Sequence, residues 1–488
     1  MGLILAADVG TTNVKAGLVN ESGRIVSVAE RPVPLERKEQ GAAEHHPDRL
    51  FNALAQACQK AVGSRGGSVE AIVLSSYHMG LMALDVRMHP LTGMSTILDT
   101  RSRETFGELA DRHDLAGIYR LTGCPPFAQY TLAKIYWMRR RRPEIFRRSR
   151  HLWGSKDYLL WRLTGRAVTE PSLAAATQLM NIRTLKWDRR ALKTAGVDEE
   201  LLAPIVRSDA STGGVGSRVA GLLGVRPGTL VVPGVYDGGA LIVGVGGFAS
   251  AVGVMNLGTS AMIRVVTPRP VLDGRMRLQT HVLLPGAWIP GEGLNNAGNA
   301  IAWLMRAAGI GSFGELEGLA KKARPTDDGP LFYPYLTGER DPRIGSYAQG
   351  ALLGLKERHG RSELALAAME GIGYTMRLVT GALQESGVRA REIRAGGGGA
   401  RMRFWVGTLA DILGVPIRAS ATGHPSLVGS AMLGFVATGR YGSLASAARS
   451  MVRLNRPVLP DRRTRERHEA RYQAFSKGLS SLAGFWRR

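Results

Sequence analysis

The chain has 488 residues, which is more than one hydrophobic core accommodates, so we expect two or three domains and exclude a single small binding module. Hydrophobic residues make up 44% and charged residues 21%, a composition that excludes intrinsic disorder. The net charge is +24, but the arginines that dominate it are spread along the whole chain. This spread indicates a compositional bias more than a surface for nucleic acid.

The chain contains no apolar run of about 18 residues, and the run Leu3 to Ala7 is too short for a signal peptide. We therefore expect a cytoplasmic protein with no membrane partner. Cys58 and Cys124 are too few for a disulfide framework or a zinc site, so we expect two buried thiols without redox chemistry.

The first predicted element is a hairpin: Leu3 to Val19 reads as an apolar strand, a Gly-Thr-Thr turn and a second strand. Residues 251–266 repeat this pattern around a Gly-Thr-Ser turn, about half the chain length further on. The repeat predicts two domains of similar plan, over 1–247 and 248–442, with a cleft between them. A chance pair of hairpins is the alternative.

The elements between and after the hairpins alternate in the manner of an α/β protein. Strands are predicted at Arg24–Val33, Ala71–Tyr77, Met82–Val86 and Arg277–Leu284. Helices are predicted at Pro47–Val62, Arg103–Arg112, Leu132–Arg140, Ala297–Ala308, Glu363–Ser386, Met402–Leu413 and Leu427–Thr438. Leu230 to Gly247 reads as a strand that turns into a small-residue helix, and residues 443–488 read as a basic helical appendage.

The two Gly-Thr turns are candidate phosphate sites, because a glycine turn exposes backbone N–H groups and the hydroxyls of Thr11, Thr12 and Thr259 add donors. No Gly-Lys dipeptide occurs, so a P-loop is excluded. Asp8 is a candidate Mg²⁺ ligand and Lys15 a candidate point charge. A hairpin turn without any ligand remains the alternative interpretation.

Two further segments carry candidate chemistry. Arg394 to Ala400 is a strand end followed by four glycines and a helix, which suits a flat ligand or an anion, or is simply a flexible loop. Asp237 lies on a glycine-flanked turn near the domain junction, where a carboxylate serves as a general base or as a helix N-cap.

In this order, these elements resemble the FGGY family of carbohydrate kinases, from Leu3 to about Gly439. DVGTTNVKAGLV looks like the first phosphate motif of the family, NLGTSAMIR like the second, and AGGGGARMRFWVGTLADILGVP like the adenosine motif. The resemblance implies two ribonuclease H-like (actin-like ATPase) domains, ATP and Mg²⁺ as cofactors, a phosphotransferase acting on an alcohol group, and Asp237 as the catalytic base.

The resemblance also implies positions for the ligands. Nucleotide contacts fall on Thr11, Thr12, Lys15, Gly258, Thr259, Gly298, Gly397, Gly398 and Met402, and the metal on Asp8. Sugar contacts fall on His78, Met79, Asp99, Arg101, Asp237 and Gly238, with Arg101 suited to a carboxylate and Asp99 to hydroxyls. Arg340 is either a further pocket residue or a structural one paired with Glu339 or Asp341.

Within the family, the segments ILDTRS, TGCPPFAQYTLAKIYW and YDGG are most similar to gluconate kinases, which implies conversion of D-gluconate to 6-phosphogluconate. The sugar-facing departures are Met79 at the usual histidine, Ile97 at a usual tryptophan and Phe127 at a histidine of gluconate kinases. Because of them, xylulose, ribulose and tetritols remain alternative substrates. In the adenosine region, His424 stands where glutamate is frequent.

Two functions of other classes are weighed against a sugar kinase. A non-kinase ATPase on the same scaffold needs neither a sugar-facing base nor the GERDP segment that contains Arg340. A nucleic-acid-binding protein fits the net charge of +24 but not the 6% of aromatic residues, which show no basic–aromatic interleaving. We expect a small-molecule sugar and ATP as partners and no nucleic acid, with a homodimer left open.

Overall fold

The computed structural model describes residues 2–249, 251–323 and 326–486. The strands of the first half are β1 (Leu3–Val9), β2 (Asn13–Asn20), β3 (Ile25–Pro32), β4 (Glu44–His45), β5 (Val69–Ser76), β6 (Met82–Leu84), β7 (Met94–Ser95), β8 (His151–Trp153), β9 (Met180–Asn181), β10 (Lys186–Trp187), β11 (Gly213–Gly214) and β12 (Leu230–Val232). Its helices are α1 (Pro47–Val62), α2 (Arg103–Arg112), α3 (Leu115–Thr122), α4 (Thr131–Arg141), α5 (Pro143–Arg148), α6 (Ser155–Thr164), α7 (Pro171–Ala175), α8 (Arg189–Ala195), α9 (Ser217–Leu223) and α10 (Asp237–Gly244).

The second half repeats this alternation. Its strands are β13 (Val252–Leu257), β14 (Ala261–Val265), β15 (Gln279–Leu284), β16 (Ala287–Leu294), β17 (Leu331–Tyr333), β18 (Ala351–Leu353), β19 (Glu392–Gly396) and β20 (Ile417–Ala419). Its helices are α11 (Gly298–Ala307), α12 (Phe313–Lys322), α13 (Arg361–Glu385), α14 (Arg403–Leu413), α15 (Pro425–Ala437), α16 (Leu444–Met451) and α17 (Arg465–Trp486).

Each half contains a six-stranded sheet, and the two sheets share one plan. In the first sheet β1, β2 and β3 form an antiparallel meander, and β5 and then β12 extend it parallel to β1. In the second sheet β13, β14 and β16 are antiparallel neighbours, while β19 and β20 extend it parallel to β13. The predicted α/β fold of two similar domains with a cleft between them is confirmed.

Helices α10 and α15 lie between the two sheets and share one apolar cluster with both. They cross at Gly244 and Gly429, where a Cβ on either glycine would lie within 2 Å of a carbonyl oxygen of the other helix. Helix α15 comes from the second half of the sequence, yet it packs on β1 and β5 of the first sheet. This crossing therefore joins the two halves of the chain.

Most predicted element boundaries agree with the structure to within about two residues. The strand that we expected over Met82–Val86 ends at Leu84 instead. The reason is local, since the carboxylate of Asp85 accepts hydrogen bonds from the backbone N–H groups of Arg87 and His89 and turns the chain. Hydrogen bonds from the backbone to the Asp85 side chain therefore replace strand pairing at these residues.

The final segment is helical as expected, but it is not an appendage. Residues around Leu454 and Val458 pair with Ser420 and Ile417 beside the second sheet, and α17 packs on α13 and α14. The guanidinium of Arg471 is buried against Glu370, at 2.7 Å, and also donates to backbone carbonyls of residues 326–330. The tail is therefore an integral part of the second half.

Candidate active site

A cavity of about 470 Å³ lies between the two hairpins and the first turn of α10. The first hairpin contributes Asp8 and Lys15, which are direct partners across β1 and β2. The remaining lining residues are His78, Tyr236, Asp237, Gly238, Leu241, Asn256, Ser260, Ala261, Met262, Arg264, Gly293, Arg340, Gly397, Gly398, Arg401, Gly423, His424, Pro425 and Ser426. Both halves of the chain therefore build one site.

Asp237 is the first residue of α10 and is held there by a buried polar cluster. Lys156 and Glu170 form an ion pair at 2.9 Å with no exposed surface on either side chain. Glu170 accepts a hydrogen bond from the Ser172 hydroxyl, whose oxygen in turn accepts one of 2.9 Å from the backbone N–H of Tyr236. The cluster fixes the backbone immediately before Asp237.

Burial, together with the nearby negative charge of Asp8, raises the pKa of Asp237 to about 7. The backbone N–H of Gly238 donates to Oδ1 of Asp237 at 2.7 Å, which partly offsets this effect. A carboxylate with a pKa near neutrality has the proton affinity that a general base requires. Asp237 therefore belongs to the wall of the cavity and does not serve as a helix cap.

Asp8 is oriented by two serine hydroxyls that approach from different elements. Ser75 on β5 donates to Oδ1 and Ser426 on α15 donates to Oδ2, both at 2.9 Å. Proteins bind Mg²⁺ through one or two carboxylates together with substrate phosphates, and Asp8 and Asp237 both line the cavity. The described residues contain no cluster of three or more His, Cys, Asp or Glu side chains that could hold a metal without such help.

A second cavity of about 730 Å³ adjoins the first and shares Gly397, Arg401 and Gly423 with it. It follows the carboxyl end of β19 into the glycine segment that sequence analysis assigned to adenosine. Gly397 has a φ of 88°, and a Cβ there would lie 2.5 Å from the carbonyl oxygen of Leu257. Only glycine therefore fits between this loop and the second hairpin.

Of the predicted nucleotide residues, Lys15, Gly397 and Gly398 line the first cavity, whereas those of the two hairpin turns and Gly298 line neither cavity. Thr11 and Thr12 are at the turn between β1 and β2, and Gly258 and Thr259 at the turn between β13 and β14. The backbone N–H of Gly298, at the start of α11, donates to the Gly258 carbonyl at 3.0 Å, so this helix end abuts the second turn. The contact joins α11 to the second turn, and the nucleotide role of these five residues stays a prediction.

Met402 does not line either cavity. It is buried in the apolar cluster of the second half together with Trp405 and Leu409. The sequence-based assignment of Met402 to the nucleotide therefore has no support in the structure. Met402 immediately precedes α14, and its side chain is directed into the core.

Asp99 and Arg101 also lie outside the cavity that contains Asp237. They line a separate cavity of about 50 Å³, where the Arg101 guanidinium forms ion pairs with Asp99, Glu39 and Glu44. Its charge is already balanced by the adjacent Asp99 and by Glu39 and Glu44, which lie about 60 positions earlier in the sequence. The structure therefore gives no support to the assignment of Asp99 and Arg101 to the sugar, and shows Arg101 linking the segment before α2 to the loop that contains Glu39 and Glu44.

His78 lines the cavity, whereas its neighbour Met79 does not. Met79 is packed with Cys124 and Tyr130, and Ile97 and Phe127 pack on the same cluster. The departures from the family pattern at Met79, Ile97 and Phe127 therefore form one apolar group.

Three side chains beside Asp237 have buried polar atoms without a hydrogen-bond partner within the described chain. They are Nδ1 of His78, the hydroxyl of Tyr236 and both ring nitrogens of His281. The rings are mutual neighbours, with centroids 5.5–6.3 Å apart. Unpartnered buried donors and acceptors are costly, so this wall suits a ligand that carries hydroxyl groups.

Several residues of the site were missed by sequence analysis. Ser426 on α15 carries no local motif, and only the fold brings it to the cavity. His281 on β15 does not line the cavity itself but packs against His78 and Tyr236, which do. Arg264 lies within the second hairpin, and Arg401 follows the glycine segment, so both were inside quoted motifs without an assigned role. An arginine adjoining a phosphate motif is the signal that could have found them.

Comparison with known proteins agrees with this geometry. Residues 3–244 match the model of the N-terminal domain of the FGGY family of carbohydrate kinases, and residues 253–438 match that of the C-terminal domain. The gluconokinase of Bacillus licheniformis is 31% identical over 90% of this chain and 88% of its own length.

Two solved structures from Lactobacillus acidophilus superpose on the whole chain. A ligand-bound xylulose kinase has a TM-score of 0.94 at 25% identity and covers 99% of each chain. A gluconate kinase has the same TM-score and identity over 99% of this chain and 98% of its own. Across the described residues, no helix has the length and apolarity needed to cross a membrane.

Proposed function

The chain belongs to the FGGY family of carbohydrate kinases, and we propose that it transfers the γ-phosphoryl group of ATP to a primary hydroxyl of a sugar acid, D-gluconate first. The family assigns it as a phosphotransferase with an alcohol group as acceptor. The observation that carries the proposal is Asp237, a half-buried carboxylate with a pKa of about 7 in the wall of a cavity that residues of both hairpins also line.

Asp237 acts as the general base. Its carboxylate accepts the proton of the primary hydroxyl while the hydroxyl oxygen forms a bond to the γ-phosphorus and the bond to the leaving ADP oxygen breaks. The hydrogen bond from the Gly238 N–H leaves the second carboxylate oxygen, Oδ2, for the substrate hydroxyl. Helix α10 holds the base rigidly because it is clamped at its crossing with α15.

The cations at one end of the cavity suit the phosphate chain of ATP. Lys15, Arg401 and His424 are close enough together that Lys15 and Arg401, after burial, lower the pKa of His424. The neutral imidazole leaves two permanent positive charges beside the hairpin turns. Asp8 would hold Mg²⁺, which when bound would further neutralise the charge on the phosphoryl oxygens.

Both halves contribute to both ligands in this proposal. Residues 1–247 supply the base, Asp8 and the first hairpin, and residues 248–442 supply the second hairpin and the glycine segment. The adenosine moiety occupies the cavity of about 730 Å³ that is continuous with the site. Closure of the cleft excludes water, which is the competing acceptor for the phosphoryl group.

A sugar acid is favoured over a neutral sugar for two reasons. The gluconokinase of Bacillus licheniformis is among the relatives at about 30% identity, and the cavity lining contains four permanent cations against two aspartates. A ketopentose is the second candidate, because a xylulose kinase superposes as well as a gluconate kinase.

The test is ADP release by the purified protein with Mg-ATP and D-gluconate, D-xylulose, D-ribulose, erythritol, glycerol or no sugar. We expect the specificity constant for D-gluconate to exceed the others by at least about tenfold, a difference of about 1.4 kcal/mol in transition-state binding. A larger constant for a ketose would overturn the choice of substrate. ATP turnover that is independent of any sugar would overturn the kinase assignment itself.

A further inference from the structure

We propose that Arg264 and Arg340 together form the receptor for the carboxylate of the substrate, and that this pair makes the enzyme select an acid over a neutral sugar. The inference rests on the proposed function in taking an aldonate as the substrate. It gives to these two arginines, both from the second half, the role that the sequence had suggested for Arg101.

Arg264 is a buried arginine on β14 that no carboxylate neutralises. It is 3% exposed, and its terminal nitrogens donate to the Ile289 carbonyl at 2.9 Å and to the Gln279 side-chain oxygen at 2.7 Å. Its Nε has no partner, and it forms no ion pair with any residue in the described ranges. A buried charge without a counter-ion is costly, so its position in the cavity wall indicates an anionic ligand.

Arg340 reaches the same part of the cavity from the loop after β17. Its Nε donates to Oδ1 of Asn295 at 3.0 Å, and a Cβ on Gly293 would lie 2.9 Å from its terminal nitrogen, Nη1. The absence of a side chain at Gly293 therefore gives the guanidinium its place in the cavity wall. The guanidinium also lies 5.8 Å from the centroid of the Phe127 ring, which comes from the first half.

The neighbours of Arg340 do not neutralise it. Glu339 accepts hydrogen bonds from the backbone N–H groups of Asn295 and Asn296, and Asp341 forms an ion pair with Arg343. The structural pairing of Arg340 with Glu339 or Asp341, considered from the sequence, is therefore wrong. The Arg340 guanidinium forms no salt bridge within the described part of the chain.

The two arginines are neighbours of the same imidazole. After burial, Arg340 and Arg264 are the largest influences that lower the pKa of His78, to about 3. They are distinct from Lys15 and Arg401, which act on His424 instead. The cavity therefore has two separate groups of cations. Lys15 and Arg401 are assigned to the phosphate chain, whereas Arg264 and Arg340 are left for a different anion.

Glu292 is the carboxyl group that faces the pair from β16. Burial raises its pKa to about 7, although the charges of Arg340 and Arg264 oppose this. Its Oε1 accepts a hydrogen bond from the backbone N–H of Gly293 at 2.9 Å. The raised pKa means that Glu292 holds a proton more readily than an ordinary carboxyl group does, which weakens its compensation of the two arginines.

An aldonate carries its carboxylate and its primary hydroxyl at opposite ends of the carbon chain. With the carboxylate on Arg264 and Arg340, the intervening hydroxyls meet the unpartnered atoms of His78 and Tyr236, and the primary hydroxyl meets Asp237. A guanidinium group binds a carboxylate more strongly than it binds a neutral hydroxyl, because its hydrogen bonds to the carboxylate are charge-assisted. A neutral ketose leaves both guanidinium groups without their partner.

The test compares Arg340→Gln and Arg264→Gln with a control variant, Arg269→Gln. Arg269 is an exposed arginine in the segment after β14, and it does not line the cavity. Binding of D-gluconate to the protein without nucleotide is measured by calorimetry, and kcat/KM is measured for D-gluconate and D-xylulose. Thermal unfolding shows whether each variant is folded. Arg340→Lys keeps the charge without the planar fork and is a milder second variant.

We expect Arg340→Gln to weaken D-gluconate binding and to lower its kcat/KM by about 10- to 100-fold, the range for a lost charge-assisted hydrogen bond. D-xylulose should change by less than about threefold, and Arg340→Lys should lie between Gln and wild type. An equal loss of kcat/KM for both sugars in a folded variant, or no loss for D-gluconate, would refute the proposed carboxylate receptor. D-gluconate binding that depends on Arg340 without phosphorylation would retain the receptor and refute only the proposed function.

Discussion

The hydroxyl of Ser426 donates a hydrogen bond of 2.9 Å to Oδ2 of Asp8, although the two residues are 418 positions apart in the sequence. Ser426 lies in the first turn of α15, the helix that crosses from the second half onto the first sheet. The contact makes the orientation of the proposed metal ligand depend on the packing of both halves.

Replacing Ser426 by alanine should therefore raise the Mg²⁺ concentration needed for half-maximal activity. Loss of a residue that orients a metal ligand typically costs about 10- to 100-fold in metal affinity. The measurement is kcat as a function of free Mg²⁺, with Ser443→Ala, a serine of the next helix cap outside the site, as the control. An unchanged Mg²⁺ dependence in Ser426→Ala would show that this hydroxyl does not position the metal.

The pH dependence of kcat/KM should report the ionisation of Asp237. A general base acts only when deprotonated, so kcat/KM should fall about tenfold per pH unit below a pKa of about 7 and become constant above it. Initial rates between pH 5 and pH 9 at saturating Mg²⁺ test this. A rate that is constant from pH 5 to pH 8 would exclude a base with this pKa.

The same ionisation should destabilise the folded protein at high pH. Because the pKa of Asp237 is raised from its ordinary 3.8 to about 7, the folded state binds this proton more tightly than the unfolded chain does. Its contribution to the free energy of unfolding therefore decreases as pH rises from about 4 to 7. Asp237→Asn removes the charge and should melt at a higher temperature than wild type at pH 8, with a smaller difference at pH 5.

Calorimetric melting curves at the two pH values measure this difference. The exposed Asp111→Asn is the matched control and should leave both melting temperatures unchanged. If Asp237→Asn lowered the melting temperature equally at both pH values, the carboxylate would be a structural group rather than a strained base.

The crossing of α10 and α15 should tolerate no side chain at Gly244. A Cβ there would lie 1.8 Å from the Pro425 carbonyl oxygen, so Gly244→Ala must separate the helices at a cost of about 1–3 kcal/mol or more. Gly381→Ala in α13 meets no atom within 4 Å and should gain up to about 1 kcal/mol in helix propensity. Denaturant unfolding compares the two variants, and equal stabilities would contradict the close crossing.

The sequence predicts features that depend on residues close together in the chain, and it fails for features that depend on residues far apart in the chain. The two hairpins and α1 were predicted because glycine turns, strand alternation and Pro47 act locally. The ion pairs of Arg101 were not, because two of its three carboxylate partners, Glu39 and Glu44, lie about 60 positions earlier in the sequence. Arg264 and His281 were missed for the same reason: their burial and missing partners exist only once the second sheet has formed.

The most direct test of the account is the turnover of Asp237→Asn with D-gluconate, measured as sugar-dependent ADP release under conditions that saturate wild type. The account predicts a loss of about 10²- to 10⁴-fold in kcat with a folded protein and retained ATP binding, because only proton acceptance is removed. Asp99→Asn, in the ion-pair cluster around Arg101, should lose far less. Retention of more than about a hundredth of wild-type turnover in Asp237→Asn would contradict the assignment of the base.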